Sequence, residues 1–155
     1  LAAAPGAQIT HGALGCMVSL NDMADRPPVP LEDGQVIELG SHRVRHIDTP
    51  HVPHGWEARL IFDETTGTLF CGDLMTQLGE ADPLVDNDVL AAAAVAEDMF
   101  GATCLTPATA PTIRRLADLG ATTLATMHGS AFNGDASAAL NALADSYDER
   151  LLVAG

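Results

Sequence analysis

Apolar and polar residues alternate between Gln35 and Asp48 around Gly40-Ser41, with Val36, Ile37, Leu39, Val44 and Ile47 as the apolar set. A two-residue period broken at a glycine predicts a β-hairpin over Gln35 to Leu39 and His42 to Asp48. The pattern returns in Ala58 to Asp63 and Thr68 to Cys71, joined by Glu64-Thr65-Thr66-Gly67, and predicts a second hairpin. Further on the period becomes helical. Asp88 stands where it can cap a helix running to about Phe100, and Pro111 suits the first residue of a segment ending at Gly120. Ile113, Leu116, Ala117 and Leu119 give that segment one apolar face. Ala121 to Met127 reads as a strand, and Asp135 caps a last helix through about Leu152, with Leu140, Leu143, Ala144 and Tyr147 at helical spacing. Ahead of the hairpins, Ala7 to Thr10 predicts a short strand and His11 to Leu20 a short helix or turn. Asp25 to Pro30 predicts a loop, because its prolines lack backbone donors. Hairpins followed by helices around a further strand make one α/β (α+β) unit spanning residues 1–155, with no internal repeat or linker.

Composition narrows the partners. Seven Lys plus Arg, all of them Arg, stand against 21 Asp plus Glu, giving a formal charge of −14. That balance repels phosphates and anionic lipid, which excludes nucleic acid and a charged membrane surface as partners. No apolar run approaches the roughly 20 residues that span a bilayer. Cys16, Cys71 and Cys104 form no CxxC pair, so they read as reduced, buried thiols, and the expected location is cytoplasmic. The chain opens Leu1-Ala2-Ala3-Ala4-Pro5-Gly6, which resembles the last turn of a helix stopped by Pro5-Gly6 and predicts that the native chain extends upstream.

The candidate chemistry lies at predicted strand ends. His54 sits in the irregular segment before the second hairpin, and Asp73 follows its last strand in Cys71-Gly72-Asp73-Leu74. His128 follows the strand that ends at Met127. Two imidazoles and a carboxylate on loops held by a rigid scaffold form a mixed nitrogen and oxygen donor set suited to Zn, Fe or Mn. His11, His42 and His46 read as surface or strand-face residues, and the acidic run Glu80 to Asp88 as a solvated loop.

At these words the sequence resembles the metallo-β-lactamase superfamily. His54-Gly55-Trp56-Glu57-Ala58, a strand reaching Phe62, a Thr-Gly turn and Leu69-Phe70-Cys71-Gly72-Asp73 are similar to its passage of histidine, strand, turn, strand and Gly-Asp. The eighteen residues between His54 and Asp73 match the interval of flavodiiron proteins and of persulfide-dioxygenase-like members. Met127-His128-Gly129-Ser130 resembles the last metal-binding histidine of the family. The resemblance implies an αβ/βα sandwich in which His54 is a terminal ligand of one metal, Asp73 bridges two, and His128 is a terminal ligand of the second. A shared carboxylate offsets the repulsion between two cations and fixes their spacing. His51 is the rival of His54, but 21 residues separate it from Asp73. With Trp56 and Glu57 it is a candidate to support the ligands by hydrogen bonding or packing. The family's first motif, HxHxDH or HxExDH, is not found, so the expectation is a domain lacking the N-terminal part that carries it.

By the same resemblance the function is that of a dinuclear metal protein, with two iron ions favoured and zinc as the other choice. It would act on O2 or NO with electrons from a separate redox partner. A metal-dependent hydrolase of an ester, thioester or lactam, similar to glyoxalase II or lactonases, is the alternative. A non-catalytic half-domain, whose open sheet favours a homo-dimer, is the second alternative.

Overall fold

A computed structural model of the chain describes residues 4–87 and 89–154. Leu1 to Ala3, read as a helix tail, and the expected cap Asp88 lie outside the described residues. Strand β1, Thr10–Gly12, leads into a helical segment α1 over residues 13–23, whose middle, Cys16–Leu20, is π-helical. Next come β2, Val29–Leu31, and the hairpin of β3, Val36–Leu39, and β4, His42–Asp48. The second hairpin pairs β5, Arg59–Asp63, with β6, Thr68–Gly72. After it follow β7, Leu84–Val85, α2, Leu90–Phe100, and α3, Thr109–Ala117. The chain closes with β8, Thr123–Thr126, β9, Ala131–Phe132, and α4, Ala136–Ala154.

Seven strands form one mixed sheet in the order β3-β4-β5-β6-β8-β9-β7, and β1 and β2 pair in parallel as a separate sheet. Both predicted hairpins are present, and their alternation decides which face is covered. Ile47, Leu60, Phe62, Leu69, Cys71 and Leu124 point to one side, where they join Ile113, Leu116, Leu140 and Ala144 of the helices in a single buried core. Asp135 caps α4 as expected: its carboxylate accepts the Ala138 N–H at 2.9 Å.

Four local expectations need correction. The proline-rich stretch is not wholly a loop, since Val29–Leu31 pairs with β1 and Pro30 sits opposite His11. In a two-stranded sheet every strand is an edge, where a proline's missing N–H is tolerated. The first strand is Thr10–Gly12 rather than Ala7 to Thr10, and α3 begins at Thr109, which makes Pro111 its third residue. Pro111 still lies in the first turn, where backbone N–H groups have no helical partner. The acidic loop contains β7, and β7 and β9 are two-residue strands too short to leave a periodic signal. Among the described residues no helix is long and apolar enough to cross a membrane.

Candidate metal centre

Strand direction gathers the three candidate residues. β4 is antiparallel to β5 and β5 to β6, so β4 and β6 run the same way, and β8 is parallel to β6. The carboxyl ends of β4, β6 and β8 therefore share one edge of the sheet. His54 follows β4, Asp73 follows β6 and His128 follows β8. Loops beyond carboxyl ends of strands are where α/β sheets place their ligands.

Each loop is pinned by buried neighbours. In the first, Val52 and Thr49 are buried, the Thr49 hydroxyl donates to the Val52 carbonyl at 2.9 Å, and the Cys104 N–H donates to the Pro53 carbonyl at 2.8 Å. The Val52-Pro53 peptide is cis. The other two loops are bonded to each other. The Met127 N–H donates to the Gly72 carbonyl at 2.9 Å, and the Gln77 N–H to the His128 carbonyl at 3.0 Å. The buried Gln77 side-chain amide also donates to the Ser130 carbonyl at 3.2 Å. Gly129 makes this approach possible. Its φ is +96°, and a Cβ there would lie 2.5 Å from the Cβ of Gln77.

The result is a chain of three side chains. His54 Nε2 lies 3.1 Å from Asp73 Oδ2, and His128 Nε2 lies 3.4 Å from Asp73 Oδ1. One imidazole thus faces each carboxylate oxygen. Each facing nitrogen can carry a proton toward the carboxylate or, deprotonated, a lone pair toward a cation. Side-chain exposures of 52% for His54, 36% for Asp73 and 60% for His128 leave the group open to solvent on one side. Among the described residues no three His, Cys, Asp or Glu side chains are gathered into a cage for a single ion. All three candidates line a cavity of about 580 Å³.

The remaining candidates stand apart. His51 is exposed, and neither it, Trp56 nor Glu57 lines that cavity. Trp56 and Glu57 instead border a smaller hollow beside His11, where Glu57 accepts a hydrogen bond from Ser19 Oγ at 3.0 Å. His11 and His46 are buried, not surface residues. His46 Nε2 meets Asp48 Oδ1 at 2.8 Å, and on the same strand His42 Nδ1 meets Asp63 Oδ2 at 2.7 Å. Cys16 and Cys71 are buried and Cys104 is half-buried, all free; burial pushes the Cys71 thiol up to about 12. Sequence reasoning did not find the polar wall of the large cavity, where the hydroxyls of Tyr147 and Thr103 meet the Glu97 carboxylate at 3.2 and 2.8 Å. Tyr147 was legible only as a core position of its helix.

The architecture is a metallo-β-lactamase-like fold that resembles flavodiiron proteins. Its solved neighbours include the chemotaxis sensor ODP, determined as a peroxy diiron species. That match has a TM-score of 0.71 and 20% identity over 94% of this chain and 65% of the sensor's. The apo state of a sensor of that name, from T. denticola, superposes with a TM-score of 0.70. Rubredoxin oxygen:oxidoreductase from Desulfovibrio gigas matches with a TM-score of 0.67 and 18% identity over 89% of this chain and 37% of its own. A metallo-β-lactamase family protein from Thermus thermophilus matches with a TM-score of 0.54 and 25% identity over 83% and 38%. This chain therefore spans less than two thirds of each of these neighbours. No protein-family model and no curated protein matches it.

Proposed function

We propose that the chain is part of a dinuclear iron protein that acts on O2 or NO. The observation that carries the reading is the placement of His54 and His128 on opposite oxygens of Asp73. A carboxylate flanked in this way suits a bridge: Asp73 would be shared between two metals, and His54 and His128 would each supply a nitrogen donor. The fit is partial, since one nitrogen and one oxygen per metal leave coordination positions for other groups. We assign those positions to a segment preceding Leu1, which would complete the domain. When bound, the two irons supply the redox-active positions at which O2 or NO is held. The protein's own contribution is geometric. Hydrogen bonds between the Gly72 to Gln77 and Met127 to Ser130 loops hold Asp73 and His128 at a fixed separation. Electrons come from a separate redox partner. Diiron neighbours favour iron over zinc and redox chemistry over hydrolysis. Three free cysteines suit a reducing compartment, and we take the cytoplasm as the location.

Iron content and stoichiometry of the protein carrying its upstream segment test this reading. Two irons per chain are expected, with occupancy falling by about half or more in His128→Ala and further in Asp73→Asn. Unchanged iron content in both variants, or two zincs and no iron in the parent, would overturn it.

A further inference from the structure

A diatomic gas needs little more room than one water, whose share of the liquid is about 30 Å³. The cavity beside Asp73 is about 580 Å³, within the range of roughly 300–1,000 Å³ that holds organic ligands. Its walls are apolar over most of their extent, with Met75, Phe100 and Met127 the largest of these side chains. In the same wall, one turn of α2 from Phe100, stands a polar group built from three elements. The Glu97 carboxylate of α2 accepts the Thr103 N–H at 3.1 Å and the Thr103 hydroxyl at 2.8 Å. The Tyr147 hydroxyl of α4 reaches the same carboxylate at 3.2 Å. These bonds hold Glu97 in place without neutralising it. Arg150, close enough to act on Tyr147, pairs with Asp98 at 2.7 Å instead. None of the chain's seven arginines lines the cavity. With no arginine in its walls, this space offers a cation a preformed acceptor at Glu97 and offers an anion no paired cationic group.

We propose that this cavity is a binding site for a small organic cation with an apolar body, its ammonium group at Glu97 and its body between Phe100, Met75 and Met127. The other end of the molecule then reaches toward His54, Asp73 and His128. In setting that end beside the proposed metal residues, the inference rests on the reading above. Its test leaves metal out, so the two fail separately.

The test uses the full chain with a chelator present, methyl-labelled methionine, and three probes of one shape: benzylamine, benzyl alcohol and benzoate. Benzylammonium is expected to shift the Met75 and Met127 methyl signals and to bind about tenfold more tightly than benzoate, with benzyl alcohol between them. Glu97→Gln keeps the acceptor for Thr103 and should abolish the preference for the amine while leaving benzyl alcohol binding unchanged. Phe100→Ala should weaken amine and alcohol alike and keep the preference. Benzoate binding as tightly as benzylammonium, a preference that survives Glu97→Gln, or no shift with any probe would each overturn the proposal.

Discussion

Burial sets the protonation of His11, and through it part of the molecule's response to acid. Its ring is buried between β1, α1 and β5, with Arg59 Nη1 against Nε2 at 2.5 Å and no hydrogen-bond partner for Nδ1. Desolvation, then Arg59, then His46 hold its pKa below 6.5, against weaker opposing pulls from the Gly12 backbone and Glu57. A histidine lowered on folding binds more protons unfolded than folded. Its contribution to stability is therefore complete above about pH 6.5 and lost as pH falls from there through the lower folded value. Asp33, Asp63 and Glu64 are also lowered, but their windows open only below the ordinary carboxylate values. Urea midpoints at about pH 7.5 and about pH 5.5 isolate the histidine term, and His11→Gln should lose less stability between them than the parent. An equal loss in both would remove His11 from the account. Gly129 is constrained in a different way. At φ +96°, facing Gln77, a side chain is strained whatever its nature. Gly129→Ala should cost about 1–3 kcal/mol in urea denaturation and also lower iron content, because His128 is its neighbour.

At the scale of elements, α3 shows how the sequence places a helix and what that placement holds up. Ile113 and Leu116 are fully buried and pack with Leu140 and Ala144 of α4 and Leu69 and Leu124 of the sheet. Ile113→Ala should lower unfolding free energy by about 2–5 kcal/mol by urea denaturation. This face was legible because its period is 3.6, and both hairpins because theirs is 2. Asp73 and His128 stood out because each lies within two positions of a strand end, whereas His54, farther beyond β4, stood out by its spacing from Asp73. Glu97, Thr103 and Tyr147 did not. They lie on a helix, a loop and another helix, and Tyr147 is 50 positions from Glu97, so only tertiary packing brings them together. Pro30 misled for the opposite reason: its rule concerns ladder interiors, and β2 is an edge.

At the scale of the molecule, the two faces of the main sheet are unequally covered. The helices cover one face from β4 onward, while no residue of the edge strand β3 is buried. On the other face, β1 covers the β4 end, where Gly12 packs against His46 and Asp48. The row continues from His46 to its register partner Ile61, then Phe70, then Ala125, and here the cover stops. Ile61 is 37% exposed and Phe70 50%, on the third and fourth of seven strands. Antiparallel strands can leave one face to water, but that face is then ordinarily polar, and here it carries Ile61 and Phe70. The nearby β1 and β2 form a parallel pair with free edges, a marginal unit alone. Both features fit the proposal that an upstream segment adds strands to that pair and closes over Ile61 and Phe70. Phe70→Thr tests it by comparing two lengths of chain. In the present chain the ring is half in water, so the cost should stay below about 1 kcal/mol. In the protein with its upstream segment the same substitution removes a covered ring and should cost about 3–5 kcal/mol by urea denaturation. An equally small cost in both lengths would mean that the upstream segment does not cover this row.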